Sequence, residues 1–145
     1  MNKPSEKVLI IEDSGIVREL VRATLSYGAY EIHEAENGPV GLQMAAELQP
    51  DVVVLDVMMP GGISGYEVCA RLKSAASGKV PFVVLVTAMG TPADLAKGVA
   101  AGTDAHIVKP FSPERLIAVI ESRGVRQLPG KGVQAAVAKV GVGSA

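Results

Sequence analysis

The chain has little cysteine, few aromatic residues and no long apolar run, and each shortage excludes a class of protein. Cys69 is the only cysteine among 145 residues, so an intramolecular disulfide is impossible and a reducing setting fits best. There is no Trp, with only three Tyr and two Phe, so the core must be aliphatic and stacking platforms for nucleic-acid bases are missing. The longest apolar runs, such as residues 82–86, are too short to cross a bilayer.

The charge balance gives no sign of a nucleic-acid or membrane partner. The chain carries 14 basic and 15 acidic residues, a net charge of −1, whereas a nucleic-acid-binding domain usually shows a basic excess or patch. The polar N-terminus lacks the apolar segment of a signal peptide. We therefore expect a cytoplasmic protein that makes no direct contact with nucleic acid and does not associate with a membrane.

The composition divides the chain into one globular domain and a tail. A hydrophobic content of 48% and a charged content of 20% are ordinary for a single globular domain of this length. Beyond Arg123 the composition changes, because residues 124–145 contain five glycines and no Asp or Glu. We predict a domain over residues 1–123, followed at 124–145 by a Gly/Val/Ala-rich tail or the start of a linker.

Short apolar runs alternate with amphipathic segments along the domain. Residues 52–55 form a continuous and mostly β-branched run, which is typical of a parallel strand buried on both faces. The predicted strands are residues 8–11, 30–35, 52–55, 81–86 and 105–108. The predicted helices are residues 16–25, 39–48, 65–75, 92–101 and 115–123. This alternation predicts an α/β fold, a doubly wound five-stranded parallel sheet with helices on both faces. Cys69 falls on the apolar spacing of the third helix, so we interpret it as a small buried hydrophobic residue.

Polar residues follow the carboxyl ends of four predicted strands. Glu12 and Asp13 follow the first strand, Asp56 the third, Thr87 the fourth and Lys109 the fifth. Because parallel strands bring these ends to one edge of the sheet, we expect the five side chains to converge. Each residue alone has an ordinary explanation: a helix cap, turn chemistry or a solvated chain end. Their occurrence after four strands of one sheet favours a functional site.

The residue types at this edge indicate cation and phosphoryl chemistry. Three carboxylates at close range repel one another unless a cation neutralises them, and Mg²⁺ prefers such oxygen ligands. The candidate ligands are Glu12, Asp13, Asp56 and a backbone carbonyl near Met58. An ionised Asp56 could then attack phosphorus and form an aspartyl phosphate. Lys109 and the Thr87 hydroxyl could stabilise the phosphoryl oxygens.

With these residues in place, the chain resembles the response-regulator receiver domain of bacterial two-component signalling over about residues 8–123. The resemblance is carried by Ile11-Glu12-Asp13, Asp56-Val57-Met58-Met59-Pro60, Val86-Thr87-Ala88 and Val108-Lys109-Pro110-Phe111. It implies a flavodoxin-like sheet of order 2-1-3-4-5. It also implies that Asp56 takes a phosphoryl group from a sensor histidine kinase or a phosphotransfer protein, with Mg²⁺ as cofactor. Enzymatic activity would be limited to self-phosphorylation and self-dephosphorylation.

The resemblance also assigns roles to the remaining site residues. It implies that Mg²⁺ is bound by Glu12, Asp13, Asp56 and the backbone carbonyl of Met58, and that the phosphate is contacted and its presence relayed by Thr87, Ala88 and Lys109. Two positions depart from the family pattern: the loop over residues 60–65 is one residue longer than usual, and His106 stands where the family usually has a Tyr or Phe that swings inward on activation. If His106 is the switch, its pKa near neutrality would make the output pH-sensitive. The alternative is an ordinary half-exposed strand residue. We expect the other histidine, His33, at the surface.

The resemblance places a downstream protein target on the face formed by helix four, strand five and helix five. In this chain that face comprises about residues 92–101, 104–106 and 112–123. The 22 residues after Arg123 are too few for a DNA-binding domain, so we expect a single-domain, chemotaxis-regulator-like chain or an excised receiver. The charged set that forms dimers in the DNA-binding subfamily is not evident, which favours a monomer.

Three other classes of protein share parts of this pattern. Haloacid-dehalogenase-like phosphatases also use an Asp nucleophile after a strand, but they need a second acid two residues on, where this chain has Met58. A flavin or nucleotide binder would want a glycine-rich or hydroxyl-rich loop after the first strand, whereas Glu12 and Asp13 put two negative charges there. A receiver-like interaction module that is never phosphorylated remains the open alternative.

Overall fold

The computed structural model describes residues 5–60, 62–74, 78–88 and 90–123. Within those ranges, five strands alternate with five helices along the chain. The strands are β1 Glu6–Ile11, β2 Tyr30–Ala35, β3 Val52–Asp56, β4 Phe82–Thr87 and β5 Ala105–Val108. The helices are α1 Gly15–Leu25, α2 Gly38–Leu48, α3 Gly65–Lys73, α4 Pro92–Ala100 and α5 Pro113–Glu121. The predicted end of the third helix at Ala75 and the predicted tail at 124–145 lie outside the described residues.

The five strands form one parallel sheet in the order β2-β1-β3-β4-β5. The predicted doubly wound, flavodoxin-like topology is confirmed. Strand order reverses between β1 and β3, which lie side by side at the centre of the sheet with Leu9 opposite Val53. In sheets of this kind, ligands bind at the carboxyl ends of the strands, beside the point where the order reverses. Glu12 directly follows β1, and Asp56 is the last residue of β3.

Alternate residues of the central strands face two separate apolar cores. On one face of the sheet, Val52 and Val54 pack with residues of α1 and α5. On the other face, Val53 and Leu55 pack with residues of α2 and α3. All five residues of β3 are buried, which is why its sequence is an unbroken apolar run up to Asp56. The core fixes where β3 ends, and therefore where the Asp56 side chain lies.

Each helix begins with a polar cap in the loop that follows a strand. The side chains of the five capping residues accept a hydrogen bond from the backbone N–H three positions on: Ser14, Asn37, Ser64, Thr91 and Ser112. Thr91 and Asp94 complete a reciprocal capping box at the start of α4. At the carboxyl edge of the sheet, the helix end of each strand-to-helix loop is thus held by a local hydrogen bond. The site residues are carried on these loops or on the strand ends beside them.

Cys69 is fully buried in α3, which confirms its interpretation as a core residue. Burial raises the pKa of its thiol to about 11, so the reactive thiolate is suppressed at neutral pH. Among the described residues, every helix is too short or too polar to pass through a lipid bilayer.

Candidate functional site

Two carboxylates leave the central strands side by side. Asp56 is the last residue of β3, and the next backbone N–H, that of Val57, donates to Val86 of β4 at 3.1 Å. Glu12 follows β1, and its backbone N–H donates to Ala35 of β2 at 3.0 Å. The backbone at both positions therefore continues the hydrogen bonding of the sheet, which fixes where the two side chains start. Glu12 is 3% exposed and Asp56 5% exposed, whereas the adjacent Asp13 is exposed.

The three predicted acidic residues come together at this edge. One carboxylate oxygen from each of Glu12, Asp13 and Asp56 lies within 4.8 Å of the others. Mg²⁺ prefers oxygen ligands and keeps several of its waters, and this cluster offers carboxylate oxygens with its Asp13 side open to solvent. The residues present therefore fit a magnesium ion.

Lys109 lies between the two buried carboxylates. Its Nζ is 3.2 Å from Glu12 Oε1 and 3.3 Å from Asp56 Oδ1. Its backbone N–H donates to the carbonyl of Thr87 at 2.7 Å, so the end of β5 is joined to the end of β4. The predicted meeting of Lys109 with the acidic residues is observed.

The carboxyl groups are short of positive charge. Burial, and next the neighbouring Asp56 charge, raises the pKa of Glu12 to about 7. Burial also raises the pKa of Asp56, although Lys109, Glu12 and the backbone N–H of Met58 donate or pair with its carboxylate and oppose the rise. Burial by itself would lower the pKa of Lys109, but the two carboxylates outweigh it and raise that pKa. One ammonium group therefore serves two buried carboxylates and satisfies neither fully.

The other predicted phosphate-contacting residues lie along the same edge. Thr87, the last residue of β4, is fully buried and follows Val86, which is paired with Asp56 in register. Ala88 comes next and is exposed. Met58 exposes 58% of its surface, while its backbone N–H bonds the Asp56 carboxylate. The end of β4 thus places Thr87 and Ala88 beside the strand that ends in Asp56. Met58 lies in the loop that leads from β3 to α3.

His106 is fully buried, and its interpretation as a half-exposed strand residue is wrong. It pairs with Leu85 in register, and its ring packs on α4 at Gly98, where an added Cβ would lie 3.0 Å from Nδ1. Within the described part of the chain, neither ring nitrogen has a hydrogen-bond partner. Burial lowers the pKa of His106, with the charge of Asp94 opposing it. His33, as expected, lies partly exposed on edge strand β2 and bonds Glu31 at 2.7 Å.

Sequence reasoning missed two residues that support the site. Gly65 begins α3, and its N–H donates to Val57 at 2.9 Å; a Cβ there would lie 2.2 Å from the carbonyl oxygen of Asp56. A glycine directly after the capping Ser64 was the available signal. The second is Arg18, which the helical pattern places on the polar side of α1. Its guanidinium donates to the backbone carbonyls of Glu12 and Asp13.

The fold and the acidic edge together define a doubly wound α/β protein of the flavodoxin-like class. Comparison with known proteins gives the family: the family model "Response regulator receiver domain" matches residues 8–121. The chain belongs to this family of two-component response regulator receiver domains. The family is a signalling rather than a classical enzyme family, and its members imply kinase partners.

Individual relatives agree with this assignment. The chain is 39% identical over 111 residues to the transcriptional regulatory protein ResD of Bacillus subtilis, covering 77% of this chain and 45% of ResD. It is 37% identical over 126 residues to the response regulator MprA of Mycobacterium sp. (strain KMS), covering 87% and 54%. The chain thus spans about half the length of the curated relatives it matches. The structure of chemotaxis protein CheY4 of Vibrio cholerae superposes with a TM-score of 0.74 at 31% identity, covering 81% of this chain and 97% of CheY4.

Proposed function

We propose that Asp56 accepts a phosphoryl group from a phosphohistidine of a sensor kinase or phosphotransfer protein, and that the aspartyl phosphate switches binding of a downstream protein. The observation that carries the proposal is the meeting of Glu12, Asp13 and Asp56 with Lys109 at the carboxyl edge of the sheet. Membership of the receiver family supports the same chemistry. Any reaction that the chain catalyses would be its own phosphorylation and dephosphorylation.

The transfer uses Asp56 as a nucleophile. One carboxylate oxygen forms a bond to phosphorus while the N–P bond of the donor breaks and its electron pair returns to the imidazole. A Mg²⁺ ion bound by Glu12, Asp13, Asp56 and the backbone carbonyl of Met58 would neutralise charge on the carboxylates and on the incoming phosphoryl oxygens. The backbone N–H of Met58, which bonds the Asp56 carboxylate, orients the attacking group.

The charge that develops on the phosphoryl oxygens is stabilised from the β4 and β5 side. The ammonium of Lys109, now shared between Glu12 and Asp56, would bind one oxygen. The Thr87 hydroxyl and the backbone N–H of Ala88 would hydrogen-bond another. Because Lys109 is also bonded through its backbone to Thr87, a shift of either residue moves the ends of both strands.

The signal would leave through α4, β5 and α5. His106 lies on β5 three residues before Lys109 and packs on Gly98 of α4, so movement at the strand end reaches the outer helix. Phosphorylation would act by shifting the populations of two conformations of this face, which requires a few kcal/mol of preference for one of them. The partner is a protein, and Val99, 61% exposed on α4, lies on the surface that it would contact.

His106 would make this output sensitive to pH. Burial disfavours protonation of the ring, with the charge of Asp94 opposing it, so a conformation that exposes the ring gains stability as the pH falls. Partner binding that depends on phosphorylation should then change more between pH 6 and pH 8 in the wild type than in His106→Tyr. Identical pH responses of the two proteins would remove this role.

Phosphorylation itself is tested with acetyl phosphate and the full chain. Intact-mass measurement should detect one added phosphoryl group that requires Mg²⁺, is released by hydroxylamine and is absent in Asp56→Asn. Asp51→Asn, which alters a carboxylate beside the opposite end of β3, is the matched control and should label like the wild type. A wild type that remains unlabelled would favour the interaction module that is never phosphorylated.

We also propose residues 1–123 as the unit that carries this activity, with 124–145 as a tail or linker, and we propose a monomer located in the cytoplasm. Size-exclusion chromatography with light scattering checks the monomer, before and after treatment with acetyl phosphate. A dimer that forms only after treatment would replace this proposal with phosphorylation-driven association.

A further inference from the structure

Arg18 connects the acidic loop to a neighbouring strand. Its Nη1 donates to the backbone carbonyl of Glu12 at 2.7 Å and to that of Asp13 at 3.3 Å. Its Nε donates to the Glu34 carboxylate of β2 at 3.0 Å. Only 20% of the Arg18 side chain is exposed. The planar guanidinium therefore holds two consecutive carbonyls through Nη1 while its Nε–H is anchored on the sheet.

An ordinary ion pair between α1 and β2 does not account for this arrangement. Arg22, one helical turn further along α1, pairs with the other oxygen of Glu34 and donates to the carbonyl of Ile32 at 3.3 Å. Arg22 thus joins the helix to the strand and, within the described residues, makes no hydrogen bond to the acidic loop. The contacts specific to Arg18 are those to Glu12 and Asp13, so its distinct role concerns that loop.

The loop needs support because its side chains repel one another. Carboxylate oxygens of Glu12, Asp13 and Asp56 lie within 4.8 Å of each other, and Asp13 is exposed to solvent. The direction of each side chain is set by the backbone that carries it. Hydrogen bonds to the carbonyls of residues 12 and 13 fix that backbone. Such bonds behind a metal ligand orient it, and their loss typically weakens metal affinity by about 10- to 100-fold.

We propose that Arg18 is a positioning residue for the divalent cation, holding the Glu12–Asp13 backbone so that both carboxylates face the ion. This inference rests on the proposed function, because it assumes that the acidic edge binds Mg²⁺. Glu34 contributes to this positioning, because its carboxylate accepts the hydrogen bond from Arg18 Nε.

Electrostatics alone predicts the opposite effect of losing Arg18. A positive side chain near a cation site repels the cation, so Arg18→Ala should tighten Mg²⁺ binding if charge were all that mattered. If positioning dominates, the same change weakens binding. Arg18→Lys keeps the charge but lacks the planar fork, so a pure charge effect leaves its affinity unchanged, whereas a positioning effect weakens it. The direction of the change therefore separates the two explanations.

The experiment is a titration of the full chain with MgCl₂, followed by backbone amide NMR shifts at pH 7.5. We expect the dissociation constant to rise about tenfold in Arg18→Ala, less in Arg18→Lys, and by under about twofold in the matched control Arg22→Ala. Thermal unfolding without metal verifies that each variant is folded, and Arg18→Lys carries the test if Arg18→Ala is not.

Unchanged or tighter Mg²⁺ binding in the Arg18 variants, with normal binding by the wild type, overturns the positioning role and leaves the proposed function intact. Equal weakening in Arg18→Ala and Arg22→Ala also overturns it, because the effect would then belong to the α1–β2 contact. A wild type that binds no Mg²⁺ and is not labelled by acetyl phosphate removes both proposals together.

Discussion

Aspartates stand at both ends of β3, and the two have opposite electrostatic surroundings. At the amino edge of the sheet, Asp51 accepts a hydrogen bond from the Lys7 backbone N–H at 2.8 Å and pairs with Lys79 at 2.7 Å. Burial alone would raise the pKa of Asp51, but the hydrogen bonds from Lys79 and Lys7 outweigh burial and lower it. At the carboxyl edge, burial raises the pKa of Asp56 in spite of Lys109.

The difference lies in how many cations serve each carboxylate. Asp51 has a lysine to itself, whereas Lys109 is divided between Asp56 and Glu12, with Asp13 close by. A satisfied carboxylate contributes to stability, and an unsatisfied buried one weakens the fold until another cation arrives. The amino edge is therefore built for stability, and the carboxyl edge keeps a charge imbalance that a cation can relieve.

The largest predicted effect comes from disturbing the backbone of the carboxyl edge. Gly65→Ala places a Cβ 2.2 Å from the Asp56 carbonyl oxygen and must push α3 away from β3. We expect it to lower the free energy of unfolding by about 2–4 kcal/mol, measured by urea denaturation. Gly15→Ala is the matched control, because Gly15 also opens a helix after a capping serine and its nearest Cβ contact is 3.6 Å. Its effect should stay within about 1 kcal/mol, and equal effects of the two changes would contradict the close approach.

Neutralising one carboxylate should have opposite effects at the two edges. Without divalent cations at pH 8, Glu12→Gln removes a buried charge that its surroundings oppose, and we expect stabilisation by about 1–3 kcal/mol. Asp51→Asn removes a charge that its surroundings favour and should destabilise by about 1 kcal/mol. Urea denaturation measures the change in the free energy of unfolding for both variants. Changes of the same sign would contradict the difference between the two edges.

The free energy of unfolding should depend on pH through the titration of Glu12. Its pKa rises from 4.5 to about 7 on folding, so the folded state holds the proton longer than the unfolded state. The corresponding stability is present below pH 4.5 and lost as the pH rises through about 7. In metal-free buffer, the wild type should therefore lose stability relative to Glu12→Gln between those values. A constant difference across that range would contradict the raised pKa.

The titration of His106 should change the free energy of unfolding by a smaller amount, and in the opposite direction with pH. Burial lowers its pKa, so the unfolded state binds the proton more readily and stability is lost as the pH falls below the ordinary value of 6.5. His106→Phe removes this loss, together with two buried ring nitrogens that lack partners among the described residues. We expect stabilisation of about 1 kcal/mol at pH 7 and more at pH 5.5, measured by thermal unfolding. A larger gain at pH 8 than at pH 5.5 would contradict this assignment.

Much of this architecture follows from local sequence. β2 and β5 span the predicted residues because their ends are marked by turns and by polar residues, and α4 begins at Pro92 after the capping Thr91, as expected. The first strand begins earlier than predicted, at Glu6, and the last helix at Pro113. The meeting of the acidic residues with Lys109 was predictable because parallel strands bring their carboxyl ends to one edge.

The features that sequence did not reveal depend on how whole elements lie against each other. The reach of Arg18 to the Glu12 carbonyl requires the angle between α1 and β1, which helical periodicity does not contain. The burial of His106 depends on α4 covering the end strand β5, with Gly98 making room for the ring. The tight approach at Gly65 likewise depends on where α3 lies over Asp56.

We propose that Mg²⁺ supplies the cation that the carboxyl edge lacks. The most direct measurement is the melting temperature of the wild type and of Asp56→Asn at pH 8, with and without saturating Mg²⁺. We predict that Mg²⁺ raises the melting temperature of the wild type by several degrees, and that metal-free Asp56→Asn already melts above the metal-free wild type and gains less from the ion. A wild type unaffected by Mg²⁺, or an equal gain in both proteins, would contradict the account.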